Sequence, residues 1–240
     1  MKNIIFLILL VFSSFSVLSN TIQLVVAASP GGPDDTIARK IAYAIENKDI
    51  NIVIINKPGA SHLIGHNYFS QSNNPILLIS SNVASLKIPN IEEIFGIGYF
   101  SMFVYVNKDS NIDSLEDLIA RSNKKEIIFG NSGIGTHSYN AMESLCTSKI
   151  KCLPINFKSS AETMISLSGN FIDAAAVVSY GATAFSNYKQ LKMIHEIKER
   201  HWYKLFGKNI SDSDKLIIIN ELNKLDSQFY KSLNIEKSIK

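Results

Sequence analysis

The feature that most constrains this fold occurs twice: a run of β-branched and apolar residues, a glycine loop, then apolar residues at helical spacing. Residues 21–28 (TIQLVVAA) lead into Ser29-Pro30-Gly31-Gly32, after which Ile37, Ala38, Ile41, Ala42 and Ile45 mark one helix face. About 100 residues later, 126–130 (EIIFG) leads into Asn131-Ser132-Gly133-Ile134-Gly135-Thr136 and a helix through Tyr139, Met142 and Leu145. Further strands are predicted at 51–56 (NIVIIN), 75–80 (PILLIS), 102–107 (MFVYVN), 154–157, 172–179 (IDAAAVVS) and 191–197. Helices are predicted at 60–70, after a capping box at Ser114 and Asp117, at 159–168 ending on Gly169, and over most of 214–233. Such alternation predicts an α/β fold of doubly wound sheets, and its restart predicts two lobes with a cleft between them.

The first 19 residues have a basic start, an apolar stretch and small residues near Ser19, the pattern of a cleaved secretory leader. Serines 13, 14 and 16 interrupt the stretch, so it would make a poor membrane span. Removing Lys2 lowers the formal net charge from +3 by one, and the lysines are scattered, so nucleic acid is not an expected partner. The two cysteines, Cys146 and Cys152, are expected to pair in an oxidising compartment; two free thiols are the alternative. No metal site or cofactor is implied by the residue pattern.

A glycine turn feeding a helix leaves backbone amides aimed outward, with the positive end of the helix dipole behind them. Two such loops facing each other could bridge a molecule with an anionic group at each end. Nucleotide motifs are absent: there is no G-x-x-x-x-G-K-[ST] and no complete G-x-G-x-x-G. A rival reading is a serine hydrolase, with Ser132 on the strand-to-helix turn and His137 as its base, although Ile134 stands where an elbow would need glycine. His62, His66, His195 and His201 read as surface or capping residues. Asp34 or Asp35 is expected to cap the first helix, and Arg39 to pair with Asp35 one turn on.

These residues resemble the tripartite tricarboxylate transporter substrate-binding proteins, the TctC or Bug family of periplasmic receptors. Residues 30–39 (PGGPDDTIAR) match P-G-G-x-x-D-x-x-A-R, Asn56-Lys57-Pro58-Gly59-Ala60 with Ile64-Gly65 matches N-x-P-G-A and I-G, and 132–136 (SGIGT) matches S-G-x-G-[ST]. The family's Y-[KR]-G becomes Phe157-Lys158-Ser159, and its C-terminal P-T-x-x-E-x-G stretch has no clear counterpart. The resemblance implies a two-lobed Venus flytrap fold, with lobes at 20–103 plus 199–240 and at 104–198. It implies a carboxylate site drawn from Ser29, Pro30, Gly31, Gly32, Asp35, Gly59, Ala60, Ser132, Gly133, Gly135, Thr136, His137 and Lys158. A periplasmic, monomeric, non-enzymatic receptor is expected, holding a small di- or tricarboxylate or an acidic amino acid. It would serve the membrane subunits of a transporter or a sensor protein; a degenerate receptor is the other outcome the shortened C-terminal part suggests.

Overall fold

Hydrogen bonding joins all the described strands into one mixed sheet in this computed structural model, which describes residues 20–46, 50–81, 91–178, 188–233 and 235–237. The expected leader at 1–19 lies outside the described residues. In chain order the elements are β1 (Asn20–Val26), α1 (Pro33–Ile45), β2 (Ile50–Asn56), a 3-10 turn (Ala60–His62), α2 (Leu63–Gln71), β3 (Ile76–Ser80) and β4 (Glu92–Asn107). Then come α3 (Leu115–Ser122), β5 (Ile127–Asn131), α4 (His137–Ser148), β6 (Cys152–Asn156), α5 (Ser160–Ser168) and β7 (Ala174–Val178). The chain closes with β8 (Leu191–Lys208), α6 (Asp212–Asn223), α7 (Ser227–Leu233) and β9 (Glu236–Lys237).

Strand order is β2-β1-β3-β8-β4-β7-β5-β6, with β9 added to β4. Parallel pairing within β2-β1-β3 and within β7-β5-β6 fits the helical crossovers of the two repeated units. The antiparallel pair β4 and β8 joins the two groups. One half of that pair meets β3 through Lys204–Lys208, and the other meets β7 through Met102–Tyr105.

Residue parity on the strands sorts the core. Met102, Val104 and Val106 enter one large cluster with Ile22, Leu24, Ile37 and Leu118, while Phe103 and Tyr105 point the other way onto Met164 and Leu167 of α5. A third cluster, around Val25, Leu78 and Phe69, packs α2 against that same second face. Helices therefore cover both faces, as a doubly wound sheet requires. The side chains of Cys146 on α4 and Cys152 at the start of edge strand β6 form a disulfide across a Cα separation of 5.5 Å.

Two sequence expectations change. β4 and β8 are far longer than 102–107 and 191–197, because their ladder continues through four irregularities that break the period-2 pattern. The expected C-terminal helix is two helices, split at Lys224–Asp226, where Asp226 accepts the Phe229 amide.

Candidate functional site

The first loop is organised by a carboxylate. Asp35 is buried; its side chain accepts from the Gly31 amide at 2.9 Å, from Arg39 Nε at 2.8 Å and from Asn56 Nδ2 at 2.9 Å. Burial opposes the Asp35 charge, but hydrogen bonds from Arg39, Gly31 and Asn56 outweigh it and hold the carboxyl below its usual range. The helix cap is Gly32, without a side-chain cap bond, so neither aspartate occupies the expected capping position. Asp35 instead fixes the loop from inside the first turn, and its ion pair with Arg39 forms as expected. Asp34 accepts the Tyr203 hydroxyl and lies 3.8 Å from His62 Nε2.

The second loop is organised by neutral groups. Thr136 caps α4 by accepting from the Tyr139 amide at 3.2 Å, and its own hydroxyl donates to the Gly133 carbonyl at 2.7 Å. Asn131 Oδ1 accepts the Gly133 amide, and Ser138 Oγ accepts the Ser132 amide while donating to the Ala176 carbonyl. No acid occupies the first turn of α4. Among the described residues, the amides of Ile134, His137 and Ser138 have no protein acceptor. These donors lie at the positive end of a twelve-residue helix, beside the Tyr139 amide that Thr136 caps.

The third motif brings the two halves together. Ala60, Ser61 and His62 have φ of 45°, 50° and 77°, three successive non-glycine residues in the left-handed region. Such strain persists only where the surroundings enforce it. A Cβ on Gly133, whose φ is 113°, would sit 2.8 Å from Ser61 Oγ, so the two loops touch and only glycine fits between them.

A cavity of about 40 Å³ lies where the loops meet. Pro33, Asp34, His62 and Ser81 line one side, and Ser132, Thr136, His137 and Ser138 the other. Phe100, Met102, Val178, Ser160 and Tyr203 complete it. Of the residues expected at the site, Ser132, Thr136 and His137 reach this cavity. Gly31, Gly32, Asp35, Gly59, Gly133 and Gly135 shape the loops around it, together with Ser29, which accepts the Gly32 amide. Pro30 and Ala60 are exposed loop residues, and exposed Lys158 offers its amide to Glu162 rather than its ammonium to the cavity.

The histidines depart most from expectation. His66 is buried against Ser80 Oγ at 3.2 Å, and burial followed by the nearby His62 pushes its pKa down to about 4. His137 stacks on His201 at 3.8 Å between ring centroids, and Phe100 lies 5.8 Å from His137 and 5.3 Å from His201. Burial, then the neighbouring His201, lower the His137 pKa to about 4 against smaller upward pulls from the Ser81 backbone and Asp34. Burial lowers His201 as well. The β4–β8 register that pairs Phe100 with His201 beside His137 is long-range and has no local signal. Asp34 was visible but overshadowed by the motif acid beside it.

Ser132 Oγ donates to Thr136 Oγ1 at 3.3 Å, not to His137, so the nucleophile–base contact of the hydrolase reading is not formed.

No family model matches the chain. A UPF0065 protein of Bordetella pertussis is 26% identical over 183 residues, which span 69% of this chain and 57% of that protein, less than two thirds of its length. Among solved structures, the periplasmic binding protein BugD superposes with a TM-score of 0.78 at 19% identity, over 90% of this chain and 88% of that one. R. palustris Rpa4515 with adipate gives 0.77 at 16%, over 90% and 87%. MatC of Rhodopseudomonas palustris with bound malate gives 0.74 at 15%, over 89% and 88%. The fold is that of the periplasmic binding proteins, and the resemblance to the TctC and Bug proteins holds in sequence and in structure.

Proposed function

We propose that this relative of the TctC and Bug proteins is an exported receptor that captures a small organic anion between two lobes. The lobes are 20–103 with 199–240, and 104–198. They meet where the β4–β8 ladder is irregular near Ser101 and Met102, opposite Ile197 and Arg200. Two strands crossing between lobes, with a bulge at the crossing, form a natural hinge. The observation that carries the reading is the cavity itself, walled by the donor-rich start of α4 on one side and by the Asp34–His62 turn on the other. It is far smaller than the 300 Å³ or more typical of ligand pockets, so entry requires the lobes to part.

The ligand is a di- or tricarboxylate or an acidic amino acid, with one carboxylate on the α4 amides. Its delivery is to the membrane subunits of a tripartite tricarboxylate-type transporter, or to a sensor. Of the solved neighbours named above, BugD is described as a periplasmic binding protein and two others hold adipate and malate, which supports this class. Among the described residues, no helix is long and apolar enough to cross a membrane.

Thermal denaturation of the mature protein against a panel of carboxylates and acidic amino acids tests the proposal. A ligand at a hundred times its Kd stabilises by about 2.7 kcal/mol and raises Tm. No shift across the panel contradicts it.

A further inference from the structure

His137 offers the cavity a polar atom that the fold leaves unanswered. Its Nε2 is buried and has no hydrogen-bond partner among the described residues, an unusual state for a buried polar group. The ring lies in the cavity wall, at the first position of α4 and therefore beside the open amides of that helix. Behind it His201 is stacked in near contact, with Phe100 against both rings. The other charged or titratable groups near the ring are His62 and Asp34 across the cavity, and Tyr203 on β8, whose hydroxyl is engaged with Asp34. Glu199 lies 3.9 Å from His201 on the exposed side.

We propose that His137 reads the anionic group of the ligand and that capture draws one proton from solvent onto the stacked His137–His201 pair. The inference rests on the receptor reading above and adds a residue and a stoichiometry to it. Asp34 is the one acid among the described residues that line the cavity, and burial keeps His137 neutral, at a pKa near 4. A carboxylate set on the α4 amides places a full negative charge beside Nε2. The lone pair then takes a proton, and the resulting N–H donates to the carboxylate oxygen, a charge-assisted bond. Two rings this close cannot both carry charge cheaply, so the pair takes up one proton and not two.

The sign follows from linkage. Between the pKa of the free pair and its higher value in the complex, binding is accompanied by proton uptake, and affinity rises as pH falls. One proton corresponds to about a tenfold change in Kd per pH unit within that window.

Isothermal titration with malate and then adipate, between about pH 6 and pH 8 where both ligand carboxyls are ionised, in buffers of differing ionisation heat, measures the proton count. The expected result is uptake approaching one proton, with Kd tightening toward pH 6. His137→Gln, which keeps a neutral donor, should bind more weakly with a flat pH profile; His195→Gln, outside the cluster, should retain the uptake. Thermal melts confirm that each variant is folded, and the imidazole Cε1 proton signals report the same titration directly. Binding without proton uptake, or uptake that survives in His137→Gln and disappears in His62→Gln, overturns the inference and leaves the receptor standing. Absence of heat with both acids and of any thermal shift across the carboxylate panel overturns both.

Discussion

The two strand–loop–helix units look alike in sequence and differ in what holds their loops. The β1–α1 loop is held by an ionised carboxylate: Asp35 occupies the Gly31 amide, and Asp34 adds a second acid to the same turn. The β5–α4 loop is held by hydroxyls and an amide, from Thr136, Ser138 and Asn131, and its helix starts without acids. The field at the first helix start is answered by two acids of its own first turn, whereas the first turn of α4 contains none. The two loops are therefore not built alike. On the proposed reading, one loop is a scaffold that presents Asp34 to His62, and the other is the anion seat.

The largest effect that tests this contrast is Asp35→Ala. Removing a buried carboxylate leaves Arg39, Asn56 and the Gly31 amide without their acceptor and should cost about 3 kcal/mol of stability in urea denaturation. A loss confined to ligand affinity would instead make Asp35 a binding residue.

Next is acid pH. The folded state lowers His66 and His137 from the usual imidazole value of 6.5 to about 4, so the unfolded chain binds protons first. Stability from these groups is complete above about pH 6.5 and is lost as pH falls toward 4, by roughly 3 kcal/mol for each group. His137→Gln should remove about half of that slope, measured by melts across the range without ligand. An unchanged slope would place the titration elsewhere.

Thr136→Ala removes the α4 cap and should cost about 1 kcal/mol of stability, while weakening carboxylate binding through the loosened seat. Smallest is Asp34→Asn, which keeps an acceptor for Tyr203 and deletes the charge facing the cavity. For a dicarboxylate, affinity should rise several-fold as repulsion is relieved, on the order of 1 kcal/mol or less. For an acidic amino acid whose ammonium meets Asp34, it should fall, so the same titration separates the two ligand classes.

Much of this was legible because it is local. The strands around Leu24, Ile52 and Leu78 are short apolar runs between turn residues, and Ser114, Thr136 and Ser159 announce their helices as side-chain caps that the structure contains. Asp35 and Arg39 were readable as an i, i+4 pair. What was not legible depends on register across sequence separations that no local pattern encodes. Phe100, His201 and Tyr203 reach the site only because β4 and β8 pair over most of their length, through bulges that erase alternation. His201 read as a surface or capping residue for that reason. The left-handed Ala60–Ser61–His62 turn is likewise unannounced, since none of the three residues is glycine and the strain shows only in the fold.

A crystal structure with the tightest carboxylate of the panel tests the central claim most directly. The account predicts a carboxylate within hydrogen-bond distance of the Ile134, His137 and Ser138 amides, with His137 Nε2 as a further donor. A carboxylate seated instead on the Gly31–Asp35 turn, with the α4 start left unengaged, would contradict it.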